Sequence, residues 1–485
     1  MTYRIEHLEL FIRETVPARF AFALGKAGRA ESVPPTTSPL CHVRMVIRDD
    51  AGGETFGCAG DRLSVRWLDK RPGRETGLKR RELASLLEFA AAAYKKGGPF
   101  TSPFDFWLAR HREIMAEGAR REQEELTLTF ASAIMERALL DGVSRLAGRP
   151  LWSMVREDRL GFQPEAVHKE LAGMRAETFL PPSPVTRINI RHTIGPYDPL
   201  TAEDWPAEQR LDDGLPETVE EYVRLDGVSH FKVKITGDAA FDLARLARIS
   251  DLLPYQREPV VTLDANEAYD DLDKLAQFVR RLEAEQLGLF QHIAYIEQPL
   301  SRRLSLDKSA GPALRRIGKL KPLIIDESDS SLSAFRRARL LGYAGTSHKN
   351  CKGVFKSLMS KALISHFADQ GEELLLSGED LQNLPVAPLQ QDFVSVGMLG
   401  LTHCERNGHH YNFGLSMLSE KDKASATRRH RDLYTRRGDE WFLNVRDGAV
   451  ECGSLQCPGF GVFDEPDWAS MEPLARWIAR RHPAS

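Results

Sequence analysis

Apolar residues recur along this chain with two different periods. Near the start, Ile5, Leu8 and Leu10 mark residues 4–12 as a strand. Residues 42–48 alternate, turn chemistry fills 49–53, and apolar positions return over 56–66, which predicts an antiparallel hairpin or meander. From about residue 80 to 147 the spacing is helical: Leu83, Leu86, Leu87, Phe89 and Ala90 share one face, as do Ile134, Ala138, Leu139 and Val143. Gly148-Arg149-Pro150 ends the last of these helices. An α+β unit over residues 1–155 is expected.

From about residue 186 the rhythm changes. Short apolar runs at 186–190, 231–235, 260–263, 293–296, 323–325 and 374–376 alternate with amphipathic stretches such as 241–253, 271–286 and 354–370. Strand–helix alternation over this length implies a parallel sheet covered by helices, either doubly wound or closed into a barrel. No Gly-x-Gly-x-x-Gly follows an early strand, which removes the main reason to choose a dinucleotide fold. Residues 195–216, rich in Pro, Asp and Gly, read as an insertion, and the charge-dense residues 420–439 as a solvated surface excursion.

Composition narrows the class. The 485 residues carry 66 Lys+Arg against 69 Asp+Glu, with 42% hydrophobic and 28% charged residues, the profile of an ordinary globular protein of several compact units. Without a basic excess, nucleic acid is not an expected partner. No apolar run approaches the roughly 18–20 residues that span a bilayer, so no membrane partner is expected. The first 29 residues lack the pattern of a signal peptide, and the six cysteines lack that of a disulfide framework or closed zinc site, so free thiols and a cytoplasmic location are expected.

The candidate chemistry lies at the ends of the apolar runs. In Phe231-Lys232-Val233-Lys234-Ile235 the two lysines share one face and the apolar residues the other. The following runs end in Asp264, Glu297 and Asp326, each about one strand–helix unit after the last. Acids at the C-terminal ends of successive parallel strands converge on one mouth, where barrel enzymes keep their chemistry. Three gathered carboxylates repel unless neutralised, and Mg²⁺ takes such hard oxygen ligands. Each acid alone is more often a helix cap or a surface ion-pair partner; three in register after a lysine pair are not. One unit further, Lys349 lies in the run Gly345-Thr346-Ser347-His348-Lys349-Asn350, too polar to be an ordinary buried strand, with Lys352 and Lys356 close enough in sequence to be alternatives to it.

The order Lys-x-Lys, Asp, Glu, Asp, Lys resembles the enolase superfamily, and within it the muconate lactonizing enzyme-like subgroup. Supporting matches are Leu263-Asp264-Ala265-Asn266, Ile296-Glu297-Gln298-Pro299, Asp326-Glu327-Ser328, the helix segment from Ala133 to Asp141, and Pro458-Gly459-Phe460-Gly461. The resemblance implies an α/β fold, a modified TIM barrel of (β/α)7β type with an α+β capping domain. Residues 1–155 would form the cap, 156–445 the barrel with insertions near 195–216 and 420–439, and 446–485 a segment returning to the cap.

It also implies one reaction step, removal of the proton α to the carboxylate of a small-molecule substrate, by a homo-oligomeric Mg²⁺ enzyme. Asp264, Glu297 and Asp326 would hold the single Mg²⁺ ion. Lys234 and Lys349 would be base and acid on opposite faces, with pKa values lowered by burial and neighbouring cations, and Lys232 would tune Lys234 and touch the substrate carboxylate. Asn266 and Glu327 would orient ligands, and Glu405 would approach the substrate. Racemisation or epimerisation, dehydration and cycloisomerisation all fit. A metal- or metabolite-binding barrel without catalysis is the competing reading. The stretch from Leu401 to His410 lacks the Asp-x-Asp of dipeptide epimerases, and His403, His409 and His410 keep a histidine base open. Lid positions are expected around 19–28 and 53–63, with Phe20, Phe22, Arg29 and Arg62 as the side chains of interest.

Overall fold

The computed structural model describes residues 1–19, 37–205, 207–379, 384–406 and 411–481. Three strands open the chain: β1 (Tyr3–Glu14), β2 (Pro39–Asp49) and β3 (Glu54–Arg62). They pair antiparallel in sequence order. The β2–β3 turn is held by Asp49, whose Oδ1 accepts the backbone N–H groups of Ala51 and Gly53. Helices Thr76–Lys96, Pro103–Arg120 and Glu125–Leu146 cover the sheet. The last of these is buried continuously from Leu126 to Ser144, as expected of a helix enclosed on all sides.

The second unit is a closed barrel. Its strands are β4 (Arg187–Ile194), β5 (His230–Lys234), β6 (Val260–Asp264), β7 (Ile293–Glu297), β8 (Leu323–Ile325), β9 (Gly345–His348), β10 (Leu375–Gly378) and β11 (His403–Glu405). Each pairs parallel with the next, and β11 pairs parallel with β4 to close the ring. Helices Ala239–Leu252, Leu272–Glu285, Gly311–Gly318, Ala334–Leu341, Val354–Ala368 and Ala387–Met398 lie between successive strands from β5 onward. The β4–β5 connection instead carries short helical turns at Val219–Glu221 and Tyr222–Asp226. This is the expected α/β architecture, a modified TIM barrel with an N-terminal α+β cap. A hairpin of β12 (Tyr434–Arg437) and β13 (Glu440–Leu443) follows; β14 (Ala449–Glu451) then pairs antiparallel with β4, and β15 (Glu472–Pro473) with β1. Among the described residues no helix is long and apolar enough to cross a membrane. All six cysteines are buried, and none forms a disulfide.

Three local expectations change. Residues 420–439 are not a loose excursion: helix Glu420–Arg429 buries Asp422 against Arg13 at 2.6 Å, and Leu433 and Tyr434 are buried as well. The few apolar side chains that anchor this segment are spaced too widely among charges to show a period. The polar run from Gly345 is a barrel strand after all, with all four residues of β9 buried. Its hydroxyls are satisfied by acids inside the fold, Thr346 donating to Asp329 at 2.8 Å and Ser347 to Asp326 at 2.6 Å.

Residues 53–63, expected as a lid, are mostly strand β3 packed on helix Glu125–Leu146. Gly57 permits this close approach, because a Cβ there would lie 2.1 Å from the Ala138 carbonyl oxygen and 2.8 Å from the Gly142 nitrogen. Phe20, Phe22 and Arg29 lie outside the described residues, while Arg62 ends β3. A Gly57→Ala substitution must push strand and helix apart and is expected to cost about 1–3 kcal/mol. Urea unfolding of the purified variant reads this as a lowered midpoint; an unchanged midpoint contradicts the packing.

Candidate functional site

The barrel mouth collects the charged side chains. Alternation along β5 sends Phe231 and Val233 outward to the helices and Lys232 and Lys234 into the barrel, where both are buried. In the parallel register Lys234 stands beside Asp264, and Asp264 beside Glu297. Asp326 follows immediately after β8 and Lys349 after β9. β5 and β9 are four places apart in the ring of eight, so Lys234 and Lys349 enter from opposite sides.

Each acid of the expected metal trio meets an ammonium. Lys234 Nζ is 2.6 Å from Asp264 Oδ2. Lys349 Nζ is 2.8 Å and Lys352 Nζ 2.7 Å from the two carboxylate oxygens of Asp326, so both lysines reach the same acid. Lys356 binds Asp329 instead. Lys232 is shut from solvent and surrounded by four carboxylates, with Asp264 and Glu297 at 2.9 Å, Glu379 at 2.5 Å and Glu405 at 3.0 Å. All four of these contacts lie inside the protein.

These pairings set the protonation of the site. Burial disfavours the Lys349 ammonium, but Asp326 overrides it and holds the pKa well above the ordinary lysine value. The expected lowering of the Lys349 pKa is thus reversed, because the nearest charges are acids rather than cations. Lys232 is raised for the same reason by its four acids, against burial. Burial followed by the charges of Asp264 and Glu379 pushes Glu297 well above the usual carboxylate range. Asp326, against burial, is held well below it by Lys349 and Lys352, and Glu405 by Lys232 and Lys234. Burial, then the charge of Asp326, raises Glu327 to about 7.

Around this centre, Asn266 donates from its backbone to Asp264 Oδ1 at 2.8 Å and from its side chain to Glu327 Oε1 at 3.1 Å. Glu327 also accepts from Trp67 Nε1 at 3.1 Å, and the Lys349 ammonium lies 4.6 Å from the centre of a Trp67 ring. Trp67 comes from the cap, in the short helix Val65–Leu68. Glu405 Oε1 accepts from Thr193 Oγ1 at 2.5 Å. His403 pairs with Arg191 at 2.9 Å, and burial, Arg191 and His230 lower its pKa to about 2. That arrangement does not make it a mouth base. His409 and His410 lie outside the described residues.

Sequence reasoning missed Arg191, Glu379 and Trp67. Glu379 had a signal, since it follows β10 as Asp326 follows β8. Nothing in the local pattern singles out Arg191 in the mixed-polarity strand β4, or Trp67 as a cover for Lys349.

Among the described residues, no three His, Cys, Asp or Glu side chains are drawn together as a metal-holding group, because lysines stand between the acids. The donor chemistry nonetheless fits a hard divalent ion. Asp264, Glu297 and Asp326 offer only oxygen, are fully buried on adjacent strands, and act on one another electrostatically. Glu297 Oε2 lies close to Lys232 yet accepts no well-aligned hydrogen bond.

Comparison with known proteins agrees with the fold. Residues 214–353 match the model of the enolase C-terminal domain-like family. The chain is similar to a mandelate racemase/muconate lactonizing enzyme of Bordetella bronchiseptica RB50, with 17% identity, 96% of this chain and 98% of that one covered, and a TM-score of 0.58. It is similar to a Bradyrhizobium enolase complexed with magnesium and mandelic acid, at 16% identity, 99% and 98% coverage, and a TM-score of 0.59. It is also similar to a dipeptide epimerase of Cytophaga hutchinsonii complexed with Mg and D-Ala-L-Val, at 15% identity, 97% and 99% coverage, and a TM-score of 0.59. No curated protein sequence matches. Residues 214–353 thus match the enolase C-terminal domain-like family model, and the chain shares the fold of solved mandelate racemase/muconate lactonizing enzymes.

Proposed function

We propose that this protein is a Mg²⁺-dependent lyase or isomerase that removes the proton α to the carboxylate of a small-molecule substrate. The observation that carries this reading is the placement of Lys234 and Lys349 on opposite strands, each ion-paired to an acid of the Asp264, Glu297 and Asp326 trio. The structural neighbours, which include magnesium complexes with mandelic acid and with dipeptides, support the reaction type.

An α-proton is only weakly acidic, so the charge left on the carboxylate oxygens must be stabilised as it forms. One divalent ion held by Asp264, Glu297 and Asp326 would supply Lewis-acid stabilisation of that charge. Lys234, once it has lost a proton to solvent and released its hold on Asp264 Oδ2, takes the α-proton on one face as the neutral amine. Lys349, kept as an ammonium by Asp326 and by the Trp67 ring, donates on the other. Trp67 also caps the site against water from the cap side and, with Asn266, fixes Glu327. Proton return on the opposite face gives racemisation or epimerisation; loss of a β-substituent gives a lyase.

Calorimetric titration with Mn²⁺ or Mg²⁺ is expected to show one ion per chain, with binding lost in Asp264→Ala and Glu297→Ala. Lys234→Ala and Lys349→Ala are expected to retain the fold by circular dichroism and to lower turnover by roughly 10²–10⁴-fold, the span of a lost general acid or base. The reaction class is tested by incubating the protein with a library of carboxylic acids in D₂O and reading α-deuteration by mass spectrometry. Exchange that depends on both lysines supports the reading. No exchange with any compound points instead to a barrel that binds a metal or metabolite without catalysis.

A further inference from the structure

Two acids at the mouth have no part in the expected metal trio. Glu379 follows β10 and Glu405 ends β11, and both are fixed on the side of Lys232 away from Asp264 and Glu297. Glu379 Oε1 is tied by Arg191 and by Ser377 Oγ, the latter at 2.5 Å, and Glu405 Oε1 by Thr193 Oγ1 at 2.5 Å. Each therefore presents its other oxygen, Oε2, to the Lys232 ammonium. Lys232 sits between two acid pairs, and its shortest contact, 2.5 Å, is to Glu379.

We propose that Glu379 and Glu405 form a cradle that retains the Lys232 ammonium when a divalent cation takes Asp264 and Glu297, an inference that rests on the metal-dependent reading above. A divalent ion on those acids takes two of the four partners of Lys232 and repels it. A buried ammonium without replacement partners carries a penalty of several kcal/mol. With only the metal-side acids available, Lys232 would therefore compete with the ion for them. With the second pair it can give them up while staying charged and in place. Lys232 is fully buried, so no water replaces the partners it gives up.

The test is a Mn²⁺ titration of the full chain by calorimetry on four proteins: wild type, Glu379→Gln, Lys232→Met, and the double variant, with thermal unfolding as the check on folding. Glutamine keeps the size of the side chain and its acceptor for Ser377 but removes the charge facing Lys232. Mn²⁺ affinity is expected to fall about tenfold or more in Glu379→Gln, a difference of about 1.4 kcal/mol. The double variant, which lacks the competing ammonium, is expected to regain affinity, and Lys232→Met alone to bind no more weakly than wild type. A simple packing defect at Glu379 would not be rescued by removing Lys232. Equal binding by Glu379→Gln and wild type overturns the cradle, and so does a double variant as weak as the single one. If Glu379→Gln does not fold, Glu405→Gln takes its place, with the same expected loss and the same rescue by Lys232→Met. Wild-type protein that takes up no Mn²⁺ overturns the metal reading itself, an outcome distinct from both.

Discussion

A lysine ammonium shut away from water keeps its charge only where carboxylates replace the lost hydration, and this constraint shapes the barrel interior around Lys232. Its four partners come from four places in the ring, Asp264 on β6, Glu297 on β7, Glu379 after β10 and Glu405 on β11. They can meet one ammonium only if the ring is closed. Among the described residues β10 and β11 share a single registered pair, Gly378 with Cys404, and β11 meets β4 through three. Side chains bridge the same region. Arg191 of β4 donates to the Gly378 carbonyl at 2.8 Å and pairs with Glu379, while Thr193 of β4 donates to Glu405. Charge compensation and barrel closure are thus one problem, and truncating any member leaves an uncompensated buried charge, typically a loss of about 3–5 kcal/mol.

The cap is tied to the same mouth by specific contacts. Arg302, in the segment after β7, pairs with Glu267 at 3.1 Å and donates to the carbonyls of Trp67 at 2.9 Å and Leu68 at 3.2 Å. That fixes the short helix carrying Trp67, whose indole then reaches Glu327 and Lys349. Deeper in the interface, Glu136 of the long cap helix accepts the backbone N–H of Phe355 at 2.6 Å, at the start of the helix after β9. A backbone donor in the first turn of a helix lacks an intrahelical partner and needs an acceptor of this kind.

The outline of the barrel was readable because its strands are short apolar runs separated by helices, and the site because Asp264, Glu297 and Asp326 stand at nearly constant spacing where those runs end. The readable signal failed where polarity and burial part company. β9 is Gly-Thr-Ser-His, which no apolar pattern can mark, yet it is buried because its hydroxyls meet acids of the neighbouring units. Arg191 is invisible for another reason, being one of two arginines in the mixed-polarity strand β4, and its partner Glu379 lies 188 residues away. The protonation of Lys349 could not be read at all. Its sign depends on whether acids or cations lie nearest, which is a matter of distances rather than of residue types.

Those distances also separate the roles of the two opposed lysines in the proposed reaction. Asp264 Oδ2 is shared by Lys234 at 2.6 Å and Lys232 at 2.9 Å, so one oxygen divides its negative charge between two ammonium groups. Asp326 meets its lysines with separate oxygens, Oδ2 for Lys349 and Oδ1 for Lys352, and Lys349 also rests against the Trp67 ring. A cation over an indole face gains about 0.5–2 kcal/mol, more as the site loses water. The Lys349 side of the mouth is therefore built to keep an ammonium, as a proton donor requires. The Lys234 side holds its lysine through an oxygen already committed to a second cation, and that cation has Glu379 and Glu405 beyond it. The asymmetry favours proton removal by Lys234 and delivery by Lys349 in the proposed reaction, and it arises because the two lysines of β5 share one oxygen of Asp264 whereas the two that follow β9 take separate oxygens of Asp326.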